Sequence, residues 1–147
     1  YGKICILADA DSDGLHIATL LCALFLRHFK SLVTAGRIFV AMPPLFRIDA
    51  AKEVYYALDE KEKDNIVKNI RKTNTKVKID IQRFKGLGEM NPSQLRETVM
   101  KPQSRRLIQL TLNASENTNS MFDLLLSKKR APDRKAWLEK KGNLAEV

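Results

Sequence analysis

The feature that most constrains this chain is a short apolar segment that leads directly into three aspartates. Residues 3–8 are followed by the hexapeptide Asp-Ala-Asp-Ser-Asp-Gly and then by a long apolar run. This order predicts a strand, a turn and a helix, with the carboxylates on the turn. Because alternate side chains of an extended segment point the same way, we expect the carboxylates of Asp9, Asp11 and Asp13 to converge.

Three interpretations of this acidic turn compete. It could be a solvated turn, since turns favour Asp and Gly. Its spacing also matches the start of an EF-hand loop, but Leu20 stands where that loop needs a Glu, and residues 3–8 do not predict an entry helix. The third is a magnesium site at the carboxyl end of a parallel strand, where open α/β sheets bind ligands. A haloacid dehalogenase-type phosphatase begins similarly but expects Thr or Val where this chain has Asp13.

The charge of the chain indicates an anionic partner. Its 147 residues, one domain or a domain and a tail in size, carry a net charge of +9, and residues 101–147 contain ten basic and five acidic residues. Such an excess favours nucleic acid before membrane, and the apolar run 17–26 is too short to span a bilayer. Cys5 and Cys22 lie in apolar surroundings, so we expect reduced, buried thiols rather than a disulfide.

Hydrophobic periodicity predicts alternating strands and helices along the chain. The first strand, a helix over 15–34 and a strand over 37–42 predict a βαβ unit with parallel strands. Further on we expect strands over 45–48 and 53–58 that form a hairpin, and strands over 77–84 and 105–112. Helices are expected over 59–72, with Asp59 as the cap, over 92–100, around 121–126 and up to Gly142. The chain starts at Tyr1, just before a strand that needs neighbours, so we expect it to belong to a longer protein.

A glycine-rich segment after the predicted strand 77–84 is the second distinctive motif. Residues 85–90 read Lys-Gly-Leu-Gly-Glu-Met, and Asn91 to Gln94 then supply an N-cap, a Pro and a Gln suited to a capping box. One interpretation is a plain turn between strand and helix. The other is a close approach of backbone to phosphate, permitted by Gly86 and Gly88 and assisted by Arg83 and Lys85.

Taken together, the acidic turn, the following Leu-His-Ile-Ala-Thr-Leu-Leu and the later Gln-Arg-Phe-Lys-Gly-Leu-Gly-Glu-Met-Asn-Pro resemble the B subunits of bacterial type IIA DNA topoisomerases. The resemblance covers essentially the whole chain, and Ala18 favours topoisomerase IV over gyrase, which usually has Arg there. It implies an α/β fold: a partial Toprim domain (a Rossmann-like parallel sheet with a βαβ unit) over residues 1–50. An α+β tail over residues 51–147 would pack on it.

The resemblance also implies a function. Such enzymes are ATP-dependent isomerases that pass one DNA duplex through a transient break in another. Asp9 and Asp11 would be the catalytic carboxylates and would hold Mg²⁺, with Asp13 in support. Arg83, Lys85, Gly86 and Gly88 are the candidate DNA-binding residues.

Several parts of that machinery are expected outside this chain. The resemblance puts the nucleophilic tyrosine on an A subunit within an A2B2 assembly, a catalytic Glu on an earlier strand, and ATP on another domain. Alone, the chain is expected to be incomplete and inactive, and the resemblance implies a bacterial cytoplasmic, nucleoid-associated enzyme. The alternatives are a gyrase B segment, another Toprim enzyme such as a primase or nuclease, and a non-catalytic basic DNA-binding module.

Overall fold

The computed structural model describes residues 1–112 and 118–144, which form six strands and six α-helices. In chain order these are β1 (Ile4–Ile6), α1 (Ser12–His28), α2 (Lys30–Thr34), β2 (Ile38–Ala41), β3 (Phe46–Ala50), β4 (Glu53–Ala57), α3 (Glu60–Thr73), β5 (Ile79–Arg83), α4 (Pro92–Leu95), β6 (Leu107–Gln109), α5 (Thr118–Leu126) and α6 (Ala131–Lys141). Short 3-10 turns lie at Leu87–Glu89, Lys128–Arg130 and Gly142–Leu144, and a π-helical segment, Arg96–Met100, continues α4. The chain is therefore of mixed α/β type.

The first sheet has the strand order β1-β2-β6. β1 and β2 are parallel, with Ile4 opposite Ile38, and α1 and α2 connect them, so the predicted strand–helix–strand unit with parallel strands is confirmed. β6 returns from much later in the chain and pairs antiparallel with β2. The core under this sheet consists of the buried residues Ile6, Ala18, Leu26, Val33 and Ile38.

The second sheet is antiparallel throughout, with the order β4-β3-β5. β3 and β4 form the predicted hairpin, whose turn contains Ala51 at a positive φ of 56°. The apolar side of α3 covers the hairpin around Phe46, Ile48 and Ala57. Because β3 already belongs to this sheet, the change from one sheet to the other falls between Ala41 and Phe46.

The clearest local differences from the predictions lie in the first helix and the last strand. The helix expected over 15–34 begins earlier, at Ser12, and is interrupted at Phe29, whose φ of −129° and ψ of 41° are not helical. The strand expected over 105–112 is only Leu107–Gln109. The apolar periodicity of the sequence continues through both places, because neither a one-residue break in a helix nor a shortened strand requires a different residue type.

Both cysteines are free, and they are half-buried rather than buried as expected. Burial raises the pKa of the Cys22 thiol, which disfavours its reactive thiolate form. None of the helices in residues 1–112 and 118–144 combines the length and the hydropathy that crossing a bilayer requires.

Candidate functional site

Asp9 lies three residues beyond the end of β1 and is held from two directions. The backbone N–H of Leu87 donates to Asp9 Oδ1 at 2.7 Å, although 78 residues separate the two. On the other side, the main chain of Asp9 lies against Gly14, where a Cβ atom would stand 2.1 Å from the Asp9 carbonyl oxygen. The acidic turn and the glycine-rich segment, far apart in sequence, are therefore in direct contact.

Asp11 caps the first helix. Its Oδ1 accepts a hydrogen bond from the Gly14 N–H at 2.7 Å, the usual interaction of an N-cap carboxylate with the third residue of a helix. Asp13 lies in the first helical turn, where a negative charge favourably faces the positive end of the helix dipole. Gly14 is buried and permits the close packing of this helix start on the strand end.

Asp9, Asp11 and Asp13 line one surface cleft of about 420 Å³, together with Gly14, Leu87 and neighbouring apolar residues. All three carboxylates thus face one cleft, but they do not form a single group of metal ligands as the alternation suggested. Within residues 1–112 and 118–144, no three His, Cys, Asp or Glu side chains are grouped so that they could hold a metal ion. The physical reason is that the helix already begins at Ser12, so the two-residue alternation of an extended segment ends before Asp13.

The remaining carboxylates still fit magnesium in their chemistry. Mg²⁺ is commonly bound by one or two carboxylates, with water and substrate phosphates completing its octahedral shell. Asp9 and Asp11 each use Oδ1 for a backbone hydrogen bond, which fixes the carboxylate, and each has a second oxygen, Oδ2. Two oriented carboxylates in an exposed cleft therefore match this open mode of Mg²⁺ binding, which needs no closed cage of protein ligands.

The glycine-rich segment is closed on itself. The Lys85 N–H donates to Glu89 Oε2 at 2.8 Å, and the Glu89 N–H donates to the Gly86 carbonyl at 3.2 Å. Phe84 and Met90, the residues on either side, are 1% and 9% exposed and anchor the segment in the protein interior. Residues 85–89 thus form a compact loop between two buried anchors.

The candidate DNA-binding residues lie on or beside this loop. The Lys85 side chain is exposed and, among the residues described, forms no ion pair. Arg83, at the end of β5, places its guanidinium 5.6 Å from the centre of the Phe46 ring. Gly86 does make a close backbone approach, but its partner in the structure is the Asp9 carboxylate. At Gly88 a Cβ atom would meet no described atom within 4 Å.

The helix that follows the loop is capped as expected. Asn91 Oδ1 accepts from the Gln94 N–H at 2.9 Å, and Gln94 Oε1 accepts from the Asn91 N–H at 2.9 Å. This reciprocal capping box confirms the sequence prediction.

A larger cavity, of about 610 Å³, lies between the β3–β4 hairpin and α3, and no candidate site residue lines it.

Sequence reasoning missed the role of Leu87, because the interacting group is a backbone N–H that every residue except proline has. The two glycines beside Leu87 were the available signal. They predicted a close backbone approach, and only the fold could identify Asp9 as its partner.

Comparison with known proteins relates this chain to B subunits of bacterial DNA topoisomerases. Residues 76–139 match the family model described as DNA gyrase B subunit, carboxyl terminus. The DNA topoisomerase 4 B subunit of Pseudomonas aeruginosa is 66% identical over 147 residues, all of this chain and 23% of the relative. Its counterpart in Escherichia coli is 60% identical over 149 residues, again all of this chain and 23% of the relative.

The chain belongs to the family of DNA topoisomerase 4 B subunits. A gyrase B subunit, that of Thermotoga maritima, is 44% identical over 126 residues, which is 86% of this chain and 19% of the relative. The prediction of topoisomerase IV over gyrase is thereby confirmed. The chain spans about a quarter of the length of the topoisomerase 4 B subunits that it matches.

Proposed function

We propose that this chain supplies the Mg²⁺-binding part of the DNA cleavage and religation site of topoisomerase IV, an ATP-dependent type IIA enzyme that decatenates and relaxes DNA by double-strand passage. The observation that carries the proposal is the hydrogen bond between the Leu87 N–H and Asp9 Oδ1, which joins the two motifs that the family resemblance depends on. Residues 1–50 are then the C-terminal half of a Toprim domain, and residues 51–147 form an α+β tail packed on it.

In this proposal Asp9 and Asp11 are the catalytic carboxylates and hold the cation, and Asp13 supports them directly or through water. When bound, Mg²⁺ would stabilise negative charge on the scissile phosphate and on the leaving 3′ oxygen. The protein's own contribution is to keep the carboxylates oriented and accessible beside the DNA backbone. Their backbone hydrogen bonds and their position in an exposed cleft support that role.

The DNA duplex is expected to run past the glycine-rich loop. Arg83 and Lys85 would contact phosphates, and Gly86 and Gly88 would let the backbone come close to them. The net charge of +9 supports a polyanionic partner. Since a phosphodiester is the group that would enter the cleft, the exposed lysine on the adjacent loop is suitably charged to hold the strand.

The tyrosines of the β3–β4 hairpin do not suit the role of nucleophile. Tyr55 donates a hydrogen bond to Glu53, which raises the pKa of its hydroxyl. Burial, followed by a hydrogen bond to Glu97, raises the pKa of Tyr56. Both pKa shifts disfavour the phenolate form, which supports a nucleophile supplied by an A subunit in an A2B2 assembly. The Glu ligand and the ATP site would lie elsewhere in the B subunit. The assembly would act in the cytoplasm, on the nucleoid.

The test is Mg²⁺-dependent DNA cleavage and religation by the full-length B subunit assembled with its A subunit. We expect Asp9→Ala or Asp11→Ala to abolish cleavage at every Mg²⁺ concentration. Asp64→Ala, which removes an exposed carboxylate on α3, is the control for loss of charge and is expected to leave cleavage unchanged. Intact cleavage in either site variant would contradict the proposal.

The high positive charge keeps one alternative function open, a non-catalytic basic DNA-binding module. Such a module binds DNA with an affinity that falls with salt, with a log–log slope of about −0.9 per phosphate contacted. Its affinity would not respond to Mg²⁺ or to the substitutions of Asp9 and Asp11. The same variants, tested in a DNA-binding assay with and without Mg²⁺, therefore separate the two functions.

A further inference from the structure

The hydrogen bond between Leu87 and Asp9 has features of a fixed support. The loop that carries it is closed by the bonds of Lys85 and Glu89 and anchored by buried residues on both sides, so the Leu87 N–H has little freedom to move. A hydrogen bond from an N–H to an ionised carboxylate is also stronger than one between neutral groups. The support is therefore rigid, and its N–H donor suits the carboxylate that it holds.

Gly86 shows how tightly the loop lies against that carboxylate. A Cβ atom at position 86 would lie 2.9 Å from Asp9 Cγ and 3.0 Å from each of its carboxylate oxygens. Gly86 itself is extended, with φ −167° and ψ 176°, so backbone conformation does not require glycine here. A side chain at this position would instead have to displace the Asp9 carboxylate.

We propose that the backbone N–H of Leu87 is a positioning group for the metal carboxylate: it fixes Asp9 Oδ1 and thereby orients Asp9 Oδ2 toward the cation. This inference rests on the proposed function. Groups that hydrogen-bond a metal ligand from outside set its orientation, and their loss typically lowers metal affinity by 10- to 100-fold. The main chain of Asp9 is fixed separately by its packing on Gly14, so the loop acts on the carboxylate alone.

A proline substitution removes this donor and places its Cδ atom where the N–H points at Asp9 Oδ1. Leu87 is the first residue of a short 3-10 helix, a position at which proline is tolerated. The residue before a proline must be extended, and Gly86 already is. Leu87→Pro and Leu87→Ala both remove the leucine side chain, and only Leu87→Pro removes the N–H. The comparison between these two variants therefore tests the backbone contact of position 87 with Asp9, separately from the loss of the leucine side chain.

The experiment measures metal binding directly, with Mn²⁺ as the probe and its free electron paramagnetic resonance signal as the readout. The protein is the full-length B subunit assembled with its A subunit, without DNA. We expect Leu87→Pro to bind Mn²⁺ at least about tenfold more weakly than Leu87→Ala. Equal affinity in the two variants would overturn the positioning role.

A second pair of variants covers the case in which Leu87→Pro does not fold. Gly86→Ala forces a Cβ atom against the Asp9 carboxylate, whereas Gly88→Ala places one in open space. Weaker Mn²⁺ binding by Gly86→Ala than by Gly88→Ala supports the inference, and equal binding overturns it. If Asp9→Ala still cleaves DNA with Mg²⁺, the proposed function fails. If Asp9→Ala abolishes cleavage while both variant pairs bind Mn²⁺ equally, the positioning role alone fails.

Discussion

Gly14 packs so closely on Asp9 that a Cβ atom at position 14 would lie 2.1 Å from the Asp9 carbonyl oxygen and 2.8 Å from its nitrogen. These are backbone atoms, so they cannot be displaced by a change of rotamer. The glycine of the acidic motif is therefore required by the contact between a strand end and a helix start. No left-handed turn conformation and no calcium loop is involved.

This packing predicts that Gly14→Ala strongly destabilises the chain. To accommodate a methyl group, α1 must shift away from the strand end, which disrupts buried packing at a cost of about 1–3 kcal/mol or more. Gly142→Ala is the matched control, since a Cβ atom there meets no described atom within 4 Å and the residue has an ordinary helical φ of −62°. Urea unfolding of both variants measures the effect, and equal stability of the two would contradict it.

Arg106 and Glu62 provide a second test, based on pH. The Arg106 guanidinium donates to both carboxylate oxygens of Glu62, at 2.7 and 3.0 Å, and this hydrogen bonding is the main reason that the pKa of Glu62 lies below its usual value of 4.5. Since the folded-state pKa is lowered, the stabilisation is present above pH 4.5 and is lost as the pH falls through the lowered pKa.

We therefore expect wild type to exceed Glu62→Gln in free energy of unfolding by at most about 1 kcal/mol at about pH 7, because the pair is partly exposed. The difference should shrink as the pH approaches about 3. Glu139→Gln, in an ion pair whose two side chains are 67% and 80% exposed, is the control and should show a smaller difference. A difference in free energy of unfolding that stays constant or grows toward acid pH would contradict the lowered pKa of Glu62.

Lys85 is the residue whose substitution tests the DNA-binding loop. Its exposed side chain forms no ion pair within the part of the chain that the structure describes, so Lys85→Glu should leave the unfolding temperature unchanged. We expect weaker DNA binding and a salt dependence that is less steep by about one phosphate contact. Lys61→Glu, an exposed lysine of α3, makes the same charge change elsewhere. Equal loss of affinity in both variants would show that only net charge matters.

The sequence was sufficient for the local elements of this fold. The βαβ unit, the β3–β4 hairpin, the Asp59 cap of α3 and the capping box at Asn91 all follow from patterns within a few residues, and each is found in the structure. Such patterns are readable because periodicity and caps depend on residue type.

What the sequence left out depends on long-range contact or on backbone geometry. The three aspartates were expected to form one group, but the helix starts earlier than the apolar pattern does, so Asp11 Oδ1 caps α1 and the extended alternation ends before Asp13. The interruption at Phe29 leaves the apolar spacing intact and so gives no signal. The contact of Leu87 with Asp9 spans 78 residues and uses a backbone group, so no residue type encodes it.

Asp11 gives the most direct test of the central claim, because its two roles can be separated. Asparagine caps a helix about as well as aspartate does, but it is neutral and a weak ligand for Mg²⁺. Asp11→Asn should therefore keep the free energy of unfolding within about 0.5 kcal/mol of wild type, whereas Asp11→Ala should lose about 1 kcal/mol.

The decisive measurement is the Mg²⁺ titration of DNA cleavage by the full-length B subunit carrying Asp11→Asn, assembled with its A subunit. If Asp11 holds the cation, this stably folded variant will have lost cleavage by about 100-fold or more at Mg²⁺ concentrations that saturate the wild type. Cleavage with the wild-type Mg²⁺ dependence would contradict the account, since Asp11 would then act only as a helix cap.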